Sequence, residues 1–549
     1  MPRTPLVFAL GASLAAGCTS SDRTLTNGPL PPCAGAASTV TLGVGAYTTY
    51  DIASDSGCAV FPANPSPSDS AEYLVVVQAA GGSPGDSAPY RIEADLARSG
   101  PARGTAAVPP RHAPAGGAIQ AAFEQRLRER ARRRAAARAG PVFRGAAAAA
   151  AVVPPTVGSL RSFSVCSDLN CTAYGPVTAR ALDVGAHVAL YEDTLAPADG
   201  FAPADLVALE RVFDTRVYPL DTLAFGRESD TDGNGVVIVL LTNVVNRLVT
   251  ASQCDTGGYI TGFFDAADLD PATAAQHNHG EVFYGMVPDP AGMLSCPHGT
   301  ARVSGILPGT FAHEFEHMIN FVQHVLVHGG RAEDDWIDEG LAKFAEELTA
   351  RSYLPADTAS FAGDVFQDLY CAGQYLLAPD AHFLLTTTDQ SFGDVGAGWL
   401  FVRWLVDQRG AGITRTLVQT SLTGTANVTQ AAGLPFATLA ARWALANWVS
   451  DLPGFGAPGE LRYASWSFRP AFAGLNLQDP MDFPRPFPLV PATVTAGALG
   501  VSGSLRAGSG VYLLVHQDAG EGPDTLHVNA GAAALPASLE PRFAVIRLH

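Results

Sequence analysis

Positive charge is scarce in this chain: 34 Lys and Arg stand against 52 Asp and Glu, a net charge of −18 over 549 residues. A surface of that sign repels phosphate backbones, and the one strongly basic stretch is local, so nucleic acid is excluded as a partner. The apolar run near the start, within MPRTPLVFALGASLAAGCTSSD, is too short to span a bilayer. Cysteines at CxxC spacing are absent, which removes a zinc knuckle. What is there, 47% hydrophobic and 16% charged residues with 56 Gly and 40 Pro, suits a folded, loop-rich protein. The length allows roughly two to four domains.

The first residues read as an export signal, with one early arginine, a short apolar run and small residues ending at Cys18. LAAGC, residues 14–18, resembles the bacterial lipobox. That resemblance implies cleavage before Cys18 and acyl chains on it, which would hold a soluble protein at a membrane. Thr19 in the next position, in place of an acidic residue, points by the same resemblance to the outer membrane of the cell envelope. The plainer alternative is a secreted protein whose signal contains a cysteine. Export permits disulfides, and proximity pairs Cys33 with Cys58, Cys166 with Cys171 and Cys254 with Cys296, leaving Cys371 over.

Composition then divides the chain. After the signal peptide (1–17), residues 18–30 form a polar tether. Residues 31–100 carry short β-prone runs such as EYLVVVQAA between SPSDS and GGSPGDS, as expected of a small β domain. Residues 101–157 are a linker containing AAFEQRLRERARRRAAARAG, a basic helix ended by Gly140. Its apolar positions are sparse, so a solvated helix is expected; contact with anionic headgroups or a propeptide-like role are the other readings, and its arginines invite trypsin-like cleavage. Residues 158–455 mix strand and helix patterns, with VVIVLLTNVV as a buried strand. Residues 456–549 return to alternating strands, as expected of a C-terminal β domain.

The chemistry lies in FAHEFEHMINFVQHV. Phe311, Phe315, Met318, Ile319 and Val322 recur at helical spacing. On a helix, residues four apart lie about 40° from superposition, so His313 and His317 project toward one point and suit Zn²⁺. Glu314 stands beside them, placed to act on a zinc-activated water. A catalytic zinc needs a third protein ligand, and downstream stands DDWIDEGLAKFAEEL, with Glu339 opening a helical run.

HEFEH followed by WIDEG resembles the gluzincin metallopeptidases, and the FxHExxHMIN and WxxEGLAxxxE contexts are similar to those of the hyicolysin-like peptidases. The resemblance covers roughly residues 158–450. It implies a zincin-like domain with a mostly helical C-terminal half, one catalytic Zn²⁺ held by His313, His317 and Glu339, and Glu314 as general base in peptide-bond hydrolysis. Asp338, Glu346 and Glu347 are positioned to orient ligand imidazoles; Glu346, seven residues after Glu339, shares its helix face. In the aminopeptidase branch an oxyanion-stabilising residue precedes a glycine in a later helix, where DVGAGWLF offers Val395. The donor is therefore unassigned, with Tyr370, Tyr375, His324, His328 and His382 as substitutes. No GxMEN exopeptidase motif occurs, which favours internal cleavage.

In SDTDGNGVVIVLLT, Asp230, Asp232 and Asn234 alternate before the turn residue Gly235, a pattern that suits structural Ca²⁺. It resembles the first half of an EF-hand loop, but Leu241 stands where that loop needs its bidentate glutamate. A plain Asp/Asn/Gly turn is the alternative. The expectation is thus a multidomain α+β protein, an extracytoplasmic zinc metalloendopeptidase anchored through Cys18 and acting on protein or peptide. The competing reading is a surface lipoprotein that keeps a peptidase-like domain and binds protein or glycan without turnover.

Overall fold

The computed structural model describes residues 38–53, 56–95, 118–136, 154–387, 390–494, 500–530 and 533–549. Cys18, the tether and Cys33, with its expected pairing to Cys58, lie outside the described residues. The architecture is mixed α+β.

Strands β1 (Ser38–Thr39), β2 (Tyr47–Asp51), β3 (Cys58–Phe61), β4 (Ala71–Ala79) and β5 (Ser87–Asp95) precede the central body. β6 (Leu160–Cys166), β7 (Tyr174–Val184), β8 (Val188–Asp193), β9 (Val237–Leu241), β10 (Gly262–Phe264) and β11 (Val282–Gly285) belong to that body. β12 (Ala492–Val494), β13 (Gly500–Arg506), β14 (Gly510–Gln517), β15 (Asp524–Asn529) and β16 (Pro541–Arg547) follow it.

The two separate β domains expected at 31–100 and 456–549 are one structure. One sheet runs β1-β3-β15-β5-β13 and the other β12-β14-β4-β16-β2, so both ends of the chain contribute to both. The reason is visible in β4: its neighbours on either side, β14 and β16, come from the C-terminal segment. Leu74, Val75, Val76 and Val77 are all fully buried, so β4 has apolar cover on both faces. One face meets the other sheet, where Phe61 and Tyr73 have ring centroids 5.1 Å apart. The second sheet also abuts the Phe436–Val449 helix, to whose Ala440 carbonyl Gln78 Nε2 donates at 3.2 Å. Residues 456–491 are not strand but include the Phe468–Gln478 helix, with Phe468 and Trp466 packed on Trp399 of the body.

The body holds a six-stranded sheet in the order β10-β11-β9-β8-β7-β6. β8, β9 and β11 run parallel, and VIVLL of β9 is buried throughout, as befits a strand covered on both faces. β10 pairs antiparallel with β11 and ends the sheet on that side. Beneath β10 and β11 lies the Thr300–Phe321 helix, here the HEFEH helix. The Asp335–Arg351 helix, the WIDEG helix, packs between it and the Phe392–Arg409 helix. Gly340 permits the second contact: a Cβ there would lie 2.8 Å from the Gly398 carbonyl oxygen. Disulfides join Cys166 to Cys171 and Cys254 to Cys296, and Cys371 is free and buried.

Candidate metal centre

The HEFEH helix is buried over its last three turns because it is walled on several sides. Phe311, Phe315, Met318 and Ile319 are fully buried, and Phe315 packs on Phe213 at 5.3 Å and Tyr218 at 5.6 Å. His313 and His317, 5% and 7% exposed, project away from that packing toward the WIDEG helix. Their Nε2 atoms lie 3.1 Å apart. Glu339 Oε1 comes 3.4 Å from His317 Nε2 and 3.9 Å from His313 Nε2, so three donors face one point.

The other ring nitrogens face carboxylates. His313 Nδ1 lies 2.7 Å from Glu346 Oε1, and His317 Nδ1 lies 3.3 Å from Asp338 Oδ2. In the neutral imidazoles such partners would keep the proton on Nδ1 and leave the Nε2 lone pair facing the shared point. Lys343, the only lysine in the sequence, holds Glu346 in turn, its Nζ 2.7 Å from Glu346 Oε1 and 3.5 Å from Asp368 Oδ1. Glu347, also weighed as an orienting group, points elsewhere: it accepts from Trp399, Trp466, Arg351 and Arg403.

Burial lowers the basicity of both imidazoles, but Glu346 reverses this for His313 and Asp338 does so more strongly for His317, so both end above the usual histidine range. Glu339 feels the opposite balance: burial pushes it up, and the Arg128 guanidinium beside it pulls it well below the usual carboxylate range. Glu314 is pushed up to about 7 by burial, against the pull of His313. Its Oε2 accepts from the Phe264 amide of β10 at 2.9 Å, which fixes the carboxylate between the histidines and the sheet edge.

Arg128 is the participant that the motifs did not reveal. It comes from the arginine helix, Ala118–Ala136, which was expected to be solvated. Instead Phe123, Leu127, Ala131 and Ala135, at four-residue spacing, are buried against the body. That spacing is the one signal in the sequence that could have shown it. Arg128 Nη1 is paired with Glu339 Oε1 and lies 3.2 Å from His317 Nε2.

A cleft of about 540 Å³ opens beside His313 and Glu314, bounded by Thr261, Lys343, Tyr370 and Val395. Of the five residues considered as oxyanion donors, Tyr370 alone lines it. Tyr375 is buried beside Ser509, His324 lies 3.6 Å from Glu333, His328 Nδ1 faces the Gln323 carbonyl, and His382 Nδ1 faces Ser391.

The aspartate loop gathers a different trio from the one expected. Asp230 and Asp232 converge with Glu281, a residue from just before β11. Asn234 serves as a turn brace: its Nδ2 donates to Asp232 at 2.9 Å and its Oδ1 accepts from Val236 N at 2.8 Å. Glu281 is already engaged by Ser229 at 2.5 Å and Thr231 N at 2.9 Å.

The donor set of two imidazoles and a carboxylate suits Zn²⁺. No family model matches the chain. Over 137 residues the chain is 31% identical to the neutral metalloprotease ShpI of Staphylococcus hyicus. The match covers 25% of this chain, which spans 29% of that protein's length. Over a quarter of its length, then, the chain is similar to a metalloprotease, and its buried His–His–Glu group is of a kind that can hold a metal ion.

Proposed function

We propose that the chain is an extracytoplasmic zinc-dependent metalloendopeptidase, with His313, His317 and Glu339 as ligands and Glu314 as general base. The observation that carries this reading is the convergence of two Nε2 atoms and one carboxylate oxygen, with Glu346 bonded to His313 Nδ1 and Asp338 facing His317 Nδ1. Bound Zn²⁺ would supply Lewis acidity to a scissile carbonyl and to the attacking water.

The chain's own residues do the rest. Glu314 takes the proton of the attacking water and passes it to the leaving amine, a task suited to a carboxylate whose affinity for protons is raised by burial. Glu346 and Asp338 hold the imidazoles in one tautomer and orientation. Tyr370 lines the cleft wall and, of the five candidates, would be the donor to the oxygen that gains charge. The edge of β10 offers backbone groups to an extended peptide. Anchoring through acylated Cys18 and a structural Ca²⁺ near Asp230 and Asp232 are separate proposals, read from the sequence pattern.

The test is hydrolysis of casein by the chain lacking residues 1–18, as purified, with a chelator, and as Glu314→Gln, with bound zinc quantified. Stoichiometric zinc with chelator-sensitive internal cuts is expected, as purified or once the arginine-rich segment has been trimmed away, and Glu314→Gln should keep the zinc and lose about 10²–10⁴ in rate. Equal hydrolysis by Glu314→Gln would remove Glu314 as the base. Stoichiometric zinc without cleavage in any form, even after trimming of the arginine-rich segment, would favour the binding lipoprotein.

A further inference from the structure

The arginine helix sits in the groove between the β10 edge and the WIDEG helix, and its first three turns meet groups the proposed reaction needs. In the first turn, Gln120 accepts from Thr261 N at 2.7 Å and donates to the Gly262 carbonyl at 2.8 Å. One side-chain amide thus occupies two backbone groups at the start of β10. Glu124 Oε1 follows, 3.9 Å from His313 Nε2. Next comes Arg128, paired with Glu339 and close to His317 Nε2. Arg132 pairs with Asp335, and Arg134 Nη1 reaches to 3.7 Å from Asp265.

The contact is built rather than incidental. Phe123 is fully buried, with its ring edge-on to Phe263 of β10 at 5.0 Å. The Arg128 side chain is 12% exposed and the Glu339 side chain 4%. A buried pair of this kind is costly to break from one side, because the remaining charge is left uncompensated. A cation is therefore required beside Glu339, and either the guanidinium or a metal ion can supply it. The two would call on the same Glu339 Oε1 and the same His317 Nε2.

We propose that residues 118–136 are a built-in inhibitor of the metal site: the helix fills the groove in place of substrate, and Arg128 competes with the metal ion for its ligands. This rests on the reading of His313, His317 and Glu339 as metal ligands. The exposed turn that carries Arg133, whose side chain is 75% exposed, faces solvent while the opposite face is seated. The helix is held by side chains rather than by strand pairing, so it can leave as a unit when Arg128 loses its partner.

The experiment measures zinc affinity by competition with a chelating dye, and amide exchange over 118–136, in the full chain and in Arg128→Ala. Arg128→Gln, which keeps the length and a hydrogen-bonding head, covers the case in which Arg128→Ala does not fold. At least tenfold tighter zinc binding in the variant is expected, together with faster exchange of 118–136 on zinc addition to the wild type. Equal zinc affinity in both proteins, with exchange unchanged by zinc, would overturn the inhibitor and leave the metal site standing. Zinc bound by neither protein, with His313→Ala indistinguishable from both, would overturn both readings.

Discussion

His313 and Glu346, 33 positions apart on two helices, meet at 2.7 Å between Nδ1 and Oε1. Lys343 holds the same oxygen from the other side. Glu346→Ala should therefore weaken zinc binding by about 10–100-fold while leaving the fold intact, since the ring loses the group that fixes its tautomer. Equilibrium dialysis against a zinc buffer measures this, and an unchanged affinity would make Glu346 a packing residue only.

Gly340 follows Glu339, and a Cβ added to it would lie 2.8 Å from the Gly398 carbonyl oxygen. Gly340→Ala should cost about 1–3 kcal/mol, because the added methyl meets backbone that cannot rotate away. It should also loosen zinc binding through Glu339. Thermal denaturation and zinc affinity measured on the same sample would show both losses. A stable variant with full affinity would show that the helices separate freely.

Glu333 is buried, and burial pushes it up to about 8 despite hydrogen bonds from Gly424 N, Asp334 N and Asn427. Its folded-state value lies above the ordinary 4.5, so the unfolded chain releases this proton first. Stability from the protonated form is complete below about 4.5 and is lost as pH rises through about 8. Melting temperatures between those limits should fall with pH in the wild type and fall less steeply in Glu333→Gln, since Glu314 and other buried carboxylates titrate in the same range. Parallel slopes in the two proteins would place the pH dependence elsewhere.

The Cys254–Cys296 bond closes a loop that contains β10 and β11. Replacing both cysteines by alanine should cost about 2–4 kcal/mol by freeing that loop in the unfolded chain. Denaturant titration of the double variant checks it. No change in midpoint would mean that the loop is ordered without the bond.

The HEFEH and WIDEG helices, the buried VIVLL strand, and the pairing of His313 with His317 were legible because each depends on local spacing, whereas Glu339 was named beside them only through the resemblance to the gluzincin motifs. Glu346 was legible for the same reason, by helical periodicity from Glu339. The joining of both chain ends in one pair of sheets was not, since strand alternation states which face is apolar and not which strand lies alongside. Arg128 escaped because a four-residue stripe of one Phe, one Leu and two Ala is faint against so many arginines. Glu281 escaped because only tertiary folding brings it to Asp230 and Asp232.

The interleaved sheets set an order of assembly. β4 leaves the ribosome long before β14 and β16 exist, and until then LVVV has no neighbour on either edge. Such a segment is apolar, β-prone and uncharged, the kind that associates with other chains when left waiting. Translation must therefore finish before this part of the molecule can close. A chain ending between residues 518 and 540 keeps β14 but strips β4 of β16, and should betray itself by aggregation rather than by altered chemistry at the cleft.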